Sequence, residues 1–527
     1  MSATRPWDAL EALRGSARRR HDERAGKTRI VVQVGHCSQA IGSTDVAEAT
    51  AASAPHDAYA VVAGCDGACF DGPRVAVTAG DGTAQLFGRV DPDSVARIVA
   101  GERGDPSVGP EFFSAQRRIA LDGCGEIDAT GLDDYLLRGG YDGLGRALAM
   151  SPEAVAEVVT KAGLLGRGGA YFPAGAKWDS VRKGGLARYM VVNAEEGEPG
   201  VFKDRHLMEG VPHRLIEGMA IAAYASGVGR AYVYINAEAD LSAERVEGAV
   251  GQAYESGLLG DNVLGSEFSL DVSLLRGAGG YVCGEETVLL NTMEGRRREP
   301  RFKPPYPTDA GLWARPTVVN NAETLANVPF ILAGGAEAFA KIGSDRATGT
   351  KLVSLSGSVR RPGVAEVPMG TSLREIIEGV GGGPESGHTL TGVAVGGPSS
   401  GVFPPSMLDT AIAPGMLHES GVMLGAGGMI ALDERTPVVE VVRKLAAYNA
   451  DESCGKCTPC REGTPRIVDA LDRLKAGGSA EDLEELRYLA EVVGLASLCG
   501  LGQAAGGPIN SGLHFFSDEF EALAGGG

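Results

Sequence analysis

The sequence predicts a multidomain α/β protein: a small α/β unit, a larger open α/β domain, a small β-rich domain and a helical C-terminal region. Three observations point there. A chain of 527 residues holds about three to five domains. Two buried-strand patterns, ARYMVVNAEEGEP and RAYVYINAEA, each run into a polar loop, as strands of open α/β sheets do. Glycine, proline and short apolar runs then take over, and helical spacing returns after residue 436.

Residues 1–28 are Arg-rich, with early acidic residues and no apolar segment, which predicts an exposed helical extension rather than a signal peptide. Residues 29–104 read as strand, helix, strand, strand, helix, a unit of thioredoxin size. Residues 105–150 form a connector with short helices. Residues 151–355 alternate strands and helices, and 356–436 are β-rich, with little helix beyond SLREIIEGV. Residues 437–527 are helical. Thr436 before Pro437 reads as a helix start. Ser479 with Asp482 reads as a capping box, followed by Leu483, Leu486, Ala490 and Val493 at helical spacing.

No stretch approaches 18 uninterrupted apolar residues, so a transmembrane helix is not expected. The net charge of −19 argues against nucleic acid as a partner and favours a soluble cytoplasmic protein. Seventy-eight glycines cluster in loops where a backbone can approach a ligand closely. Nine cysteines are too few for a disulfide scaffold, and their clustering points to metal first.

The strongest motif is ESCGKCTPCREG, which places Cys454, Cys457 and Cys460 at x2 spacing. Three such thiolates suit three irons of a cubane cluster, with Cys499 in SLCGLGQAAGG as the candidate fourth ligand. Zinc and inert buried thiols are the alternatives. Lys456 and Arg461 would favour a reduced cluster. In GLLGRGGAYFPAGAKW, Gly166, Gly168 and Gly169 free backbone N–H groups for a phosphate, with Arg167 and Lys177 adding charge. A tight turn is the plainer alternative. GAGGYVCGEE is a second such loop, and the pair favours a nucleotide or flavin pocket. In NAEEGEPGVFKDR, Glu195, Glu196 and Glu198 follow a strand, where carboxylates hold ribose or ribityl hydroxyls and repel a 2′-phosphate, selecting NAD over NADP. A solvated acidic loop is the alternative. Glu285 and Glu286 repeat the theme. His206 reads as a surface or core contact and Cys283 as packed; no residue is assigned as a catalytic nucleophile or acid–base group.

These motifs resemble the flavoprotein, NADH-binding subunit of respiratory complex I and its relatives, the diaphorase subunits of NAD-reducing hydrogenases and soluble NAD-dependent formate dehydrogenases. GRGGAYFPAGAKW, VVNAEEGEPGVFKDR, GAGGYVCGEETVLLNTMEGRRREPRFKPPYP, PTVVNNAETLANVP and ESCGKCTPCREG carry the resemblance over residues 150–520. It implies a thioredoxin-like N-terminal domain, a Rossmann-like FMN/NADH-binding domain, a ubiquitin-like β-grasp domain and a C-terminal helical bundle carrying an iron–sulfur cluster. It further implies that hydride moves between NAD(H) and FMN, and single electrons to or from a [4Fe–4S] cluster, beside iron–sulfur partner subunits. FMN contacts would fall on Gly166, Arg167, Gly168, Lys177, Asn193, Glu195, Glu196, Tyr281, Gly284, Glu285, Asn320, Asn321 and Thr324. NADH contacts would fall on Phe172, Glu198, Glu286, Lys303 and Tyr306, and cluster ligands on Cys454, Cys457, Cys460 and Cys499.

Two positions depart from the family pattern. Tyr171 stands where glycine is usual and would crowd or stack on the nicotinamide; Glu195 stands where aspartate is usual. The family's small iron–sulfur subunit holds a [2Fe–2S] cluster with C-x4-C and C-x3-C. Here Cys37, Cys65 and Cys69 remain but position 42 is glycine, so a docking domain without a cluster is favoured. An NAD-reducing output module of a formate dehydrogenase or hydrogenase, and a flavin-free iron–sulfur scaffold, are the alternative functions.

Overall fold

The computed structural model describes residues 6–101, 105–185 and 187–525. Its N-terminal sheet has β1 (Thr28–Gln33), β2 (Ala58–Ala63), β3 (Arg74–Thr78) and β4 (Ala84–Phe87), in the order β2-β1-β3-β4. β1 and β2 are parallel; β3 is antiparallel to β1 and β4. β4 exceeds the three strands expected, because four residues are too few for alternation to stand out. The expected boundary at residue 104 lies outside the described residues, as do residues 1–5 and 526–527.

The N-terminal extension is a helix, Pro6–Asp22, but it is docked rather than exposed. Leu10, Arg14 and Ala17 share one face at helical spacing and are buried. Leu10 and Ala17 join the core of the large α/β domain, and Arg14 donates to the Gly140 carbonyl at 3.0 Å.

That large domain is built on β5 (Tyr189–Ala194), β6 (Arg230–Ile235), β7 (Asp271–Arg276) and β8 (Thr317–Asn321). The order is β7-β6-β5-β8 and every pairing is parallel. Met190, Val191 and Val192 are fully buried, as expected for a parallel strand covered on both faces. The chain builds outward from β5 to β7 and then returns to β8 on β5's other side. That reversal opens a crevice at the carboxyl ends of β5 and β8, where such sheets bind ligands.

The next sheet has β9 (Thr350–Gly357), β10 (Gly363–Pro368), β11 (Leu390–Val395), β12 (Gly401–Phe403) and β13 (Gly428–Asp433), ordered β10-β9-β13-β11-β12. Only β9 and β13 pair in parallel. The sheet starts six residues before the expected boundary at 356, and SLREIIEGV forms a short turn of π-helix at Glu375–Val380.

The 105–150 segment is fastened rather than loose. The Glu366 carboxylate accepts the backbone N–H groups of Ile119, Ala120 and Leu121 at 2.8–2.9 Å, and the Thr350 hydroxyl at 2.5 Å. Glu366→Ala strands three buried donors and should cost roughly 3 kcal/mol or more. Thermal unfolding checks this; an unchanged midpoint would count against the clamp.

The C-terminal helices Val438–Asp451, Thr458–Lys475, Ala480–Ala496 and Gly507–Phe515 pack around Val442, Ile467, Leu471, Leu486 and Ile509. The Ser479–Asp482 capping box forms. Thr436 does not cap its helix: the Val438 and Val439 N–H groups donate to Glu519 instead, at 3.2 and 2.9 Å. Among the described residues no helix is long and apolar enough to cross a membrane.

Candidate functional site

The crevice is walled by strand ends and two glycine-bearing loops. Leu165 bridges to Pro173, and the Gly166 N–H donates to the Phe172 carbonyl at 2.9 Å, closing the first loop into a hairpin. Gly168 lies against Asn321, where an added Cβ would come within 3.0 Å of that side chain. Asn193, at the end of β5, donates to the Gly284 carbonyl at 2.9 Å and so ties the second loop to the sheet. Lys177 donates to the Val319 carbonyl at 3.1 Å, sits 3.5 Å from Glu286 and 5.8 Å over the Phe172 ring. Lys303 bridges Glu285 and Glu286 at 2.8 and 2.9 Å. Phe172 and Tyr306 are 53% and 54% exposed, on the solvent side.

Several expected ligand residues are occupied by the fold. The Arg167 guanidinium, fully buried, donates to the carbonyls of Thr350, Thr348 and Leu165, so its charge is not free for a phosphate. Its backbone N–H donates to Thr324. Glu196 accepts the N–H groups of Asp204 and Arg205, capping the helix Lys203–Gly210. Glu285 caps the helix Glu286–Met293, and Asn320 accepts from Trp178 at 2.8 Å. Asn321 donates to Asp204 at 2.6 Å.

Tyr171 is largely buried. Its backbone is left-handed (φ 53°), a conformation that glycine takes without strain, and its ring joins the apolar core of the β-rich domain. The hydroxyl donates to the Gly425 carbonyl at 3.0 Å.

Three buried polar atoms at the crevice lack partners among the described residues: Glu195 Oε2, Glu198 Oε1 and the Tyr234 hydroxyl. Gly277 faces two of them, and a Cβ there would lie 2.7 Å from Glu195 Oε2 and 2.9 Å from the Tyr234 oxygen. Burial pushes the Glu195 carboxyl up to about 8, against the pull of Arg298. Burial likewise pushes Glu198 up to about 8, although Lys203 pulls the other way. Asn236 donates to Glu195 Oε1 at 3.3 Å, but the second oxygen stays open, and carboxyls with an unpartnered oxygen at a strand-end crevice suit a polyhydroxylated ligand, as a flavin's ribityl chain or a ribose provides.

The four cysteines converge beside this crevice. Cys457 precedes the helix Thr458–Lys475, with Cys460 in its first turn. Gly455 takes the left-handed conformation (φ 73°) that turns Cys454 back toward them. Cys454, Cys457, Cys460 and Cys499 pack with Val282, Cys283, Val288 and Leu501 in one apolar cluster that also touches Tyr281. Burial and the neighbouring thiols push Cys460 up to about 11, so the group ionises together only against a metal's charge. Ligands of one zinc ion sit about 3.8 Å apart. No three of these sulfurs gather within 4.8 Å of one another, a wider spread that fits a cubane better. Lys456 is spent on the Pro300 carbonyl at 2.7 Å and on Glu299 at 3.2 Å.

Residues 159–330 match the Nuo51 FMN-binding domain, 440–523 the NADH-ubiquinone oxidoreductase-F iron–sulfur binding region, and 352–403 the SLBB domain. The chain is 46% identical to NADP-reducing hydrogenase subunit HndC of Solidesulfovibrio fructosivorans, over 77% of this chain and 83% of that one. It is also 46% identical to the F 2 subunit of the NADH-quinone oxidoreductase of Rhizobium meliloti, over 74% of this chain and 94% of that one. The chain belongs to the family of NADH-quinone oxidoreductase F subunits. The crystal structure of an NAD+-reducing [NiFe]-hydrogenase in the H2-reduced state superposes with a TM-score of 0.69 at 30% identity, covering 94% of this chain and 84% of that one.

Beneath the crevice of this oxidoreductase chain lies a buried charge network that no sequence motif announced. Glu323 accepts from Lys351 at 2.5 Å, from Lys203 at 2.8 Å and from the Leu352 N–H at 2.8 Å. Lys203 also pairs with Asp204 at 2.8 Å. Tyr448, which donates to the Gly197 carbonyl at 2.7 Å, and Ser399, 2.6 Å from the Tyr281 hydroxyl, were equally hidden in the sequence. Of these, Glu323, Lys203, Asp204, Gly197 and Tyr281 lie within the motifs quoted above, but no motif showed that they pair with Lys351, Tyr448 or Ser399.

Proposed function

We propose that this chain is an NADH:acceptor oxidoreductase (diaphorase) subunit of a cytoplasmic multisubunit complex whose partner subunits carry iron–sulfur groups. One observation supports it above the others. The turn Tyr281–Gly284 is bonded to β5 through Asn193 and packs on its other side against the four cysteines. Bound FMN supplies a carrier that accepts a hydride and releases electrons singly, and a [4Fe–4S] cluster takes them singly.

The chain's own residues would bind and orient. Gly166, Gly168 and Gly284 let the backbone approach the flavin. Lys177, held by Glu286, brings positive charge to the crevice, while Asn193 and Glu195 face the ribityl side. Phe172 and Lys303 would flank the nicotinamide dinucleotide at the solvent side, beside Tyr306. Cys454, Cys457, Cys460 and Cys499 would ligate the cluster. The N-terminal sheet order supports a thioredoxin-like domain, and the mixed sheet of β9–β13 a β-grasp domain. Purified anaerobically, the full chain should show flavin absorption that NADH bleaches; a colourless chain that NADH leaves unchanged overturns the proposal.

The NAD-reducing direction is a second reading, favoured by the hydrogenase relatives, whose names describe reduction of NAD+ or NADP. Rates in both directions with co-purified partners decide it.

Glu198 should set the choice between NAD and NADP. It is neutral well below pH 8 and charged above, so repulsion of a 2′-phosphate grows as the pH rises through about 8. The NADH-over-NADPH ratio of kcat/KM should rise about tenfold, or about 1.4 kcal/mol, between pH 6.5 and 9. Glu198→Gln should flatten that profile. A flat wild-type profile would sink the assignment.

A further inference from the structure

The N-terminal domain meets the flavin domain at a second group of thiols. Cys37 lies just after β1, on the short helix His36–Gln39, and Cys65 and Cys69 follow β2. Facing them is His206, from the helix Lys203–Gly210 of the large domain. The Cys65 and Cys69 sulfurs and a His206 ring nitrogen all lie within 4.8 Å of one another, and Cys69 Sγ is 3.7 Å from His206 Nε2. The Cys37 sulfur stands beside this trio, just outside the 4.8 Å group, and interacts with Cys69. All three cysteines are free thiols.

The surroundings are those of a metal site. His206 Nδ1 is 2.8 Å from the Phe202 carbonyl. A proton held there leaves Nε2 with a bare lone pair aimed at the sulfurs, the usual arrangement of a ligating histidine. Glu209 grips His36 through Nδ1 at 3.1 Å and through its backbone N–H at 3.0 Å. His36 Nε2 in turn lies 3.1 Å from the Cys37 sulfur and orients it. The two domains touch here backbone to backbone: a Cβ on Gly64 would fall 2.2 Å from Gly210 Cα.

We propose that Cys65, Cys69 and His206, completed by Cys37, bind one tetrahedral thiophilic metal ion of the zinc class, which pins the N-terminal domain to the flavin domain. Each ligating thiol gives its proton to solvent, and neutral His206 supplies the fourth lone pair. Zinc's sulfur and nitrogen ligands stand about 3.5–3.8 Å apart. Three ligand atoms that are mutual neighbours fit the shell of a single ion. In a [2Fe–2S] rhomb each iron takes only two protein ligands, so three atoms would not crowd together.

Metal analysis of the full chain, purified anaerobically with reductant, tests this. Wild type should carry about one zinc beyond its cluster iron. Cobalt(II) exchanged into the site should give thiolate charge-transfer and tetrahedral ligand-field bands. His206→Ala and Cys69→Ser should drop that equivalent below about one tenth while flavin and cluster iron stay. The wild-type cobalt spectrum stands by itself if a variant fails to fold. The proposal is overturned by no ion beyond the cluster iron, by two extra irons with matching acid-labile sulfide, or by an ion that both variants retain.

Discussion

Cys457→Ser and Cys499→Ser should each empty the C-terminal cluster pocket. Iron should fall from about four per chain to the background level, and NADH-driven reduction of the partner subunits by at least a hundredfold. Bleaching of the flavin by NADH should survive, because Asn193 and Glu195 lie at the end of β5 and Lys177 on the helix Ala174–Arg182, not on the helices that carry the thiols. The size of the effect follows from the pocket. Four sulfurs share one apolar cluster, and burial with mutual repulsion holds Cys460 near 11. Only a multivalent cation keeps them ionised together, so losing one ligand leaves the others to reprotonate. Iron analysis with the two assays in parallel checks this. Equal loss of flavin bleaching would show that the two sites do not fold independently.

Glu323→Gln should strongly destabilise the large domain. Glu323 is almost completely buried between Lys203 and Lys351, both at 0% exposure. Removing one member of a buried ion group leaves the others uncompensated, at a cost of about 3–5 kcal/mol. Burial alone would raise the Glu323 pKa, but the two lysines override it and hold the carboxyl below its ordinary range. Its contribution is therefore full above the unfolded carboxylate's pKa and lost as the pH falls through the folded value. Removing charge on both sides, Glu323→Gln with Lys351→Met, should recover much of the loss. Thermal unfolding at pH 7 checks both; a single-variant shift of a degree or two would show that the network contributes little.

The features legible in the sequence are local. Cys454, Cys457 and Cys460 sit within seven residues, so spacing alone exposed them. The polar ends of β5 and β6 were legible because apolar runs break abruptly there. β7 escaped because DVSLLR has neither a sustained apolar run nor unbroken alternation, and β8 because TVVNN is short. The rest depends on distance along the chain. Lys351 lies 28 residues from Glu323, Glu519 caps a helix about 80 residues earlier, and His206 reaches Cys69 across 137. Charged residues brought together this way carry no periodicity. For Tyr171, side-chain identity suggested stacking, and only the fold reveals a left-handed backbone with the ring largely buried.

The turn Tyr281–Gly284 carries one more consequence. Val282 and Cys283 are buried against Val288, Cys460 and Leu501, and the Cys283 sulfur also meets the Gly279 carbonyl at 3.4 Å and Arg298 at 3.9 Å. If electrons pass from flavin to cluster beside this wall, its apolar side offers few dipoles free to swing in response, which would keep the reorganisation energy low. Hydrophilic substitution at Val282 would admit mobile water and slow the transfer, even with every ligand and cofactor contact intact.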